Sequence, residues 1–444
     1  MARVKIKFLK ILALTLAGAF AGRGWADQAT SVLPLSTAIE MSMHSSPKVA
    51  DALVDVQVST DRHHTTFGEL GPKVNANYSD VKFDRTVSVA LGPVNYVLRP
   101  QTLQEANLVV SQPLLGLFPA AERLGLERKR KEASQLNLNF AKTVTAFEVA
   151  QVYRKAQLAR EMVHIAEASI LATNSQAKDA QALLESGRFI RSDLLKISIA
   201  QQEARSDLAK AIAAQKKVDD RLRYTIGLSS HQTLSLEALP SMASVQSFAP
   251  PDLDLALKEA TKTRLELKNA SLEVQKAESM RRLARWKFIP EVDFFIGWDS
   301  YYSALPFGTP AFTRSYGLTA KWEIWDRGSR LTATRETSGM LRKSNTALQD
   351  TKDKMRLEIQ AILADLEAMK EALSATQVIA SQAEEAYRLD KARFANGLVT
   401  ATDLLLSLAK QTKAQGSLVG SVTEMSLLIL SLEQALGNTS PKTL

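Results

Sequence analysis

The sequence predicts a mainly α-helical protein with a small membrane β part, built by internal duplication. Three observations carry this. Pro119 to Pro240 and Pro310 to Pro441 enclose two stretches of more than 100 residues without an internal proline. A sandwich of short strands does not read this way, and long helices do. Apolar residues alternate with mostly polar or small ones along two short segments between Val292 and Ile324, the period of a strand with two different faces. Finally, one half of the chain can be laid on the other.

The duplication is legible by counting. Moved by 218, residues 33–80 fall on the second half without a gap: Leu35 on Leu253, Ala38 on Ala256, Val56 on Val274, Pro72 on Pro290. Further along the shift becomes 210. Val149 then meets Ile359, Gly187 meets Gly397, Asp193-Leu194-Leu195 meets Asp403-Leu404-Leu405, and Gly227 meets Gly437. The difference of eight is absorbed between Asn77 and Gln112, where the first copy has the longer loop. A period this long is no solenoid. It divides the chain into a first repeat, 27–240, and a second, 241–444, each helix, hairpin, helix, helix.

Residues 1–26 read as a signal peptide. Arg3, Lys5, Lys7 and Lys10 precede an apolar run from Ile11 to Ala21, and Gly24-Trp25-Ala26 offers small residues for cleavage. Eleven apolar residues are too few to span a bilayer. Without this segment the formal charge falls from +9 to +4, because five basic residues and no acidic ones leave with it. So small a charge, with no basic patch interleaved with aromatics in the helical stretches, argues against nucleic acid as a partner. The mature chain has no uninterrupted apolar run near 18 residues and so no transmembrane helix. An exported chain of this kind spans a membrane only as β-strands in the outer membrane.

Each repeat opens with an amphipathic helix, about 35–69 and 252–287, ended by Pro72 and Pro290. Strands follow. Val292, Phe294, Ile296 and Trp298 alternate with Asp293, Phe295, Gly297 and Asp299; after a turn at 303–311, Tyr316, Leu318, Ala320, Trp322 and Ile324 alternate with Ser315, Gly317, Thr319, Lys321 and Glu323. About ten residues of period two per strand suit an apolar face toward lipid and a polar face toward a watery lumen. Val74, Ala76 and Tyr78, then Ala106, Leu108 and Val110, are a weaker first copy. Twelve aromatic residues lie between Trp286 and Trp325, against 6% aromatics in the whole chain. That enrichment marks Trp298, Tyr301, Tyr302, Tyr316 and Trp322 as candidates for the membrane interface, where an amphipathic ring prefers the headgroup level.

The helices after the hairpins run about 120–186 and 329–396. Some 67 residues at 1.5 Å each is roughly 100 Å. Leu341, Leu348, Met355, Ile362 and Met369 recur every seven residues, beside a stripe of Ile359, Leu366 and Leu373. This is coiled-coil spacing. Each helix reverses at a glycine, Gly187 or Gly397, which supplies the left-handed conformation that ends a helix. Ser192 and Thr402 are expected to cap the returning helices. Two such hairpins cannot bury their surface alone, so the chain is expected to oligomerise.

No catalytic, cofactor or metal site emerges. The absence of cysteine removes thiolate chemistry and a disulfide framework. His63-His64 lacks further ligands at helical spacing. There is no glycine-rich phosphate loop, and five scattered histidines give no Ser-His-Asp set. The sequence therefore points away from an enzyme. A periplasmic coiled-coil scaffold or adaptor without a channel would share the signal peptide and long helices, but would lack two aromatic, alternating hairpins.

From about Leu33 to Gly437 the chain resembles the TolC-like outer membrane efflux protein family. The pieces that carry the resemblance are the duplicated halves, the strand exits Gln112-Pro113-Leu114-Leu115 and Trp322-Glu323-Ile324-Trp325-Asp326-Arg327-Gly328, and the tip motifs at Gly187 and Gly397. The second exit is similar to the family's apolar-Phe/Trp-Asp-Gly-Gly-Arg corner. The resemblance implies four strands per chain, a 12-strand barrel closed by a trimer, and a helical tunnel through the periplasm of a Gram-negative cell. It implies export across the outer membrane (multidrug efflux or type I secretion) with a periplasmic adaptor and an inner-membrane pump of RND or ABC type. Gly187, Arg188, Gly397 and Leu398 occupy the tips expected to meet the adaptor. Asp403 and Asp193 fall where the family narrows its periplasmic end. Where tightly gated members carry a second Asp, this chain has Leu406 and Lys196; where they tie the hairpins with Tyr and Arg, it has Phe394 and Val399. Read without the family, Asp193 and Asp403 are acidic residues at helix N-termini, favourable to the macrodipole.

Overall fold

The computed structural model describes residues 32–187, 190–229, 234–302 and 310–441. The expected signal peptide, most of the turn at 303–311, and Arg188 lie outside them.

The first helix of each repeat is broken where a single helix was expected. Helices α1 (Leu35–Ser45) and α2 (Pro47–Gly68) are separated by Ser46, whose backbone is extended. A residue before proline is pushed out of the α region, and Pro47 then starts α2 at no cost, since its missing N–H has no partner there. After the short α5 (Met242–Gln246), α6 (Leu253–Thr263) and α7 (Leu265–Trp286) break at Arg264, which is extended without a following proline. Arg264 corresponds to Ser46 under the shift of 218. Its buried guanidinium donates to Glu358 at 2.6 Å and to Glu266 at 3.3 Å, so side-chain bonds hold the break that proline holds in the first repeat.

The long helices are α3 (Leu117–Glu185), of 69 residues, and α8 (Ser329–Ala395), of 67, returning as α4 (Arg191–Ile226) and α9 (Ala401–Ala435). The stripe Met355, Ile359, Leu366 and Leu373 is buried against Met425, Ile429 and Leu432 of α9. Phe147, Ala150 and Tyr153 of α3 meet Leu35, Leu222, Ile226 and, from the other repeat, Leu430. Each such side chain contributes roughly 1.5–3 kcal/mol when fully buried. Among the described helices α9 is long and apolar enough to cross a membrane by length and composition; Val422, Met425, Ile429, Leu430 and Leu432 of α9 are buried in the cores it forms with α8 and α3.

The repeats also dock alike. Gly227 and Gly437 end α4 and α9 with φ of +76° and +82°, and a Cβ on either would stand under 3 Å from Ser45 or from Thr263 and Arg264. Both are glycine for conformation and for room. The segment after α4 is clamped by α3. Tyr153 Oη donates to the Leu33 carbonyl at 2.7 Å and accepts from the Glu237 N–H at 3.0 Å, while Gln157 and Arg160 donate to the carbonyls of Glu237, Ala238 and Leu234.

Strands β1 (Lys73–Lys82), β4 (Thr102–Pro113), β5 (Glu291–Tyr301) and β6 (Phe312–Lys321) form one antiparallel sheet in the order β1-β4-β5-β6. The long first-copy loop holds a separate ribbon, β2 (Val87–Leu91) with β3 (Val94–Arg99), which the sequence had not suggested. Strand β6 stops at Lys321, short of the expected Trp322 and Ile324.

Candidate functional site: a two-faced sheet and paired helical tips

Register sorts the sheet into two faces. Residues directly opposite share a face and neighbours along a strand alternate. One cross-strand row reads Val74, Val110, Ile296, Tyr316, and the next Ala76, Leu108, Trp298, Arg314. The rows between them read Asn75, Val109, Gly297, Ser315 and Asn77, Asn107, Asp299, Thr313. On this second face Asn107 donates to Asp299 at 2.5 Å. One face is thus mostly apolar and one mostly polar, as a wall between lipid and water requires.

The expected interface aromatics divide. Trp298 and Tyr316 are on the apolar face. Tyr301 pairs with Glu105 and shares the polar face with Asp299, so alternation alone puts it away from the other two. Tyr302 follows β5 and is exposed, and Trp322 follows β6 and is 60% exposed. Phe118 and Trp286, at the helix ends below the sheet, stack with centroids 5.4 Å apart.

At the opposite end lie the tips. Gly187 and Gly397 have φ of +71° and +74°. Leu398 N–H reaches back to the Arg393 carbonyl at 3.0 Å and Gly397 N–H to Phe394 at 2.9 Å, the pattern that satisfies a helix's last carbonyls. Leu398 is exposed. The expected caps are not Ser192 and Thr402. Thr400 caps α9, accepting from the Asp403 N–H at 3.2 Å, and α4 has no side-chain cap. Thr400 Oγ1 also donates to Asp403 Oδ2 at 2.6 Å. Asp403 is exposed, while Asp193 accepts from Lys196 at 3.0 Å.

The hairpins are tied by packing and by hydrogen bonds other than those of a Tyr and an Arg. Phe394, where the resemblance leaves no hydroxyl, is buried in a small core with Ala180, Ile197, Ala401 and Leu404. Lys196 donates across to Thr402 at 3.3 Å, and Gln176 to Tyr387 at 3.1 Å. Lys196 was visible in the sequence as a departure from the acidic pattern. Its partner across the hairpins was not, since Thr402 is 206 residues away. A groove of about 580 Å³ runs between the hairpins, with Lys196, Glu203, Asp207, Thr402 and Lys413 among its lining residues.

Among the described residues no three His, Asp or Glu side chains gather as a metal site would require. His63 and His64 stand edge to face with centroids 6.0 Å apart.

No curated protein matches the chain in sequence. Among solved structures it is similar to CusC, described for its folding and transmembrane channel formation, at 17% identity over 93% of this chain and 95% of that one, with a TM-score of 0.79. It is also similar to the outer membrane protein VceC of Vibrio cholerae (15%, 91% and 96%, TM-score 0.77) and to the open state of the outer membrane channel MtrE of Neisseria gonorrhoeae (16%, 92% and 91%, TM-score 0.76). At these identities the likeness is one of fold, and it runs the length of the chain. Residues 256–438, from within α6 to just beyond α9, match the model of the outer membrane efflux proteins.

Proposed function

We propose that the chain is one subunit of a trimeric outer membrane channel-tunnel that exports substrates across the periplasm and outer membrane. The observation that carries this is the four-stranded sheet: one apolar face, one polar face, and two unpaired edges, β1 and β6, mounted on helices of roughly 100 Å. An open edge in lipid leaves N–H and C=O groups unsatisfied at several kcal/mol each, and closure removes it. Three copies supply twelve strands. The chain would be a conduit, with no chemistry of its own.

In this reading residues 1–26 are removed on export, and 27–240 and 241–444 are the two repeats. The tips at Gly187, Arg188, Gly397 and Leu398 face a periplasmic adaptor, which links the tunnel to an inner-membrane pump. Asp403 forms an acidic ring at the narrow end. Asp193 contributes less, because Lys196 neutralises it. The test is the mass of the purified protein in mild detergent. A trimer that needs detergent is expected; a water-soluble or monomeric protein would overturn the reading.

A further inference from the structure

The contacts between the two repeats inside one chain are a template for contacts between chains. The two hairpins obey the duplication to the residue: Val74 pairs with Val110, and Val292 with Ala320, the same pair moved by 218 and 210. The junction between the hairpins is β4 against β5, with Val110 opposite Ile296. Exchanging repeats turns β4 into β6 and β5 into β1. Ala320 then stands opposite Tyr78 of the next copy, Trp322 opposite Ala76, and Ile324 opposite Val74.

We infer that residues 322–324 are the unfinished end of β6 and pair in this register with β1 of a second copy. This rests on the trimer proposed above. Two observations support it independently. In the first repeat β4 runs on through Gln112 and Pro113, opposite Phe294 and Asp293, and the Leu114 N–H donates to the Val292 carbonyl at 2.8 Å. In the second repeat the equivalent residues have no strand beside them. Trp322, Ile324 and Trp325 are 60%, 79% and 80% exposed, a concentration of apolar surface at an open edge. The ladder stops at Lys321 because its next partner is on another chain.

The helices agree. Helix α7 turns one face to α3, where Lys129 donates to Ser279 at 2.8 Å and Arg282 to Glu122 at 2.9 Å. Leu272, on that face, is 3% exposed. Its equivalent on α2, Val54, is 57% exposed. Moving the α3–α7 contact by the same shifts sets α2 against α8 of the neighbouring copy, where Val54 is covered.

The chain has no cysteine, so disulfide trapping needs no background removal. Tyr78→Cys with Ala320→Cys tests the register, and Ala76→Cys with Trp322→Cys tests it again should the first pair fail to insert. Tyr78→Cys with Leu318→Cys is the control, offset by two residues. Within one chain β1 and β6 are three strand spacings apart, about 14 Å, beyond the roughly 7 Å that a disulfide spans between Cα atoms. Any bond must therefore join two copies. Mild oxidation should yield covalent trimers from either in-register pair, at least about tenfold more than from the offset pair, where the diagonal Cα separation is about 7–8 Å. A trimer by mass in which only the offset pair cross-links, or neither in-register pair does, overturns the register and leaves the channel reading standing. A monomer by mass overturns both.

Discussion

In the proposed tunnel, single side chains at the tips would set the charge a passing ion meets. Asp403 is exposed and shares a hydrogen bond only with the Thr400 hydroxyl among the described contacts. Asp193 lies against the Lys196 ammonium. Three Asp403 carboxylates around a threefold axis would concentrate negative potential in a narrow passage. Asp403→Asn keeps the shape and removes the charge, and Thr400 can still cap the helix. Reversal potentials in a salt gradient across a planar bilayer should show cation preference in the wild type and a clear loss in Asp403→Asn. Asp193→Asn should shift it less. An unchanged potential in Asp403→Asn would reduce that residue to a helix-end charge.

Away from the tips, Asp219 is a buried carboxylate on α4, 3.5 Å from Arg160. Burial pushes its carboxyl above the usual carboxylate value, against the opposing pull of Arg160 and Arg223. Because the folded-state pKa lies above the unfolded one, its contribution to stability is fully present below the unfolded pKa. It is lost as pH rises through the raised folded value. Asp219→Asn should therefore flatten the fall in thermal midpoint that the wild type shows as pH climbs from about 4. Parallel curves for the two proteins would contradict this.

At the scale of elements, the repeats show which parts the fold requires. Both keep helix, break, helix, hairpin and two long helices, and both end on a glycine seated against the break. The break is made by Pro47 in one and by Arg264 with two carboxylates in the other, so its position is preserved while its cause differs. The ribbon β2–β3 has no counterpart in the second repeat and pairs only with itself. Shortening residues 84–100 to a tight turn should leave the β1–β4 register, and hence trimer yield and heat resistance in detergent, unchanged. A loss of trimer would mean that the ribbon supports the barrel rather than decorating its loop.

The corner from β6 into α8 is less relaxed. Arg327 has φ of +58°, the only non-glycine residue with positive φ among those described. It stands where the resembled corner has glycine. The left-handed region costs a non-glycine residue about 1–2 kcal/mol. Asp326 holds the turn by accepting from the N–H of Gly328 at 3.1 Å and from the N–H and Nε of Arg330 at 2.7 and 2.9 Å.

For the whole molecule, the proposed tunnel has two working ends, the sheet and the tips, joined by the long helices α3 and α8. The tips carry paired glycine turns, which three copies would present as six similar sites around a ring. Gly187→Val and Gly397→Val each force a β-branched residue into φ near +70°, costing roughly 1 kcal/mol or more locally. Export measured in cells carrying the matching pump should fall severalfold, while outer membrane insertion and trimer mass stay normal. Full export by both variants would remove the tips from the docking surface.

Much of this architecture was present in the sequence because periodicity is a local property. A stripe every seven residues, alternation along a strand, a proline-free run and a chain that overlays itself need no knowledge of neighbours. They determined the long helices, the four strands, the membrane assignment and the near-twofold plan. The positions that escaped the sequence are those whose partners are remote. Arg264 breaks a helix by reaching Glu358, and Lys196 ties two hairpins by reaching Thr402. Tertiary structure alone decided where β6 stops, because a strand lasts only as long as another strand lies beside it to accept its hydrogen bonds.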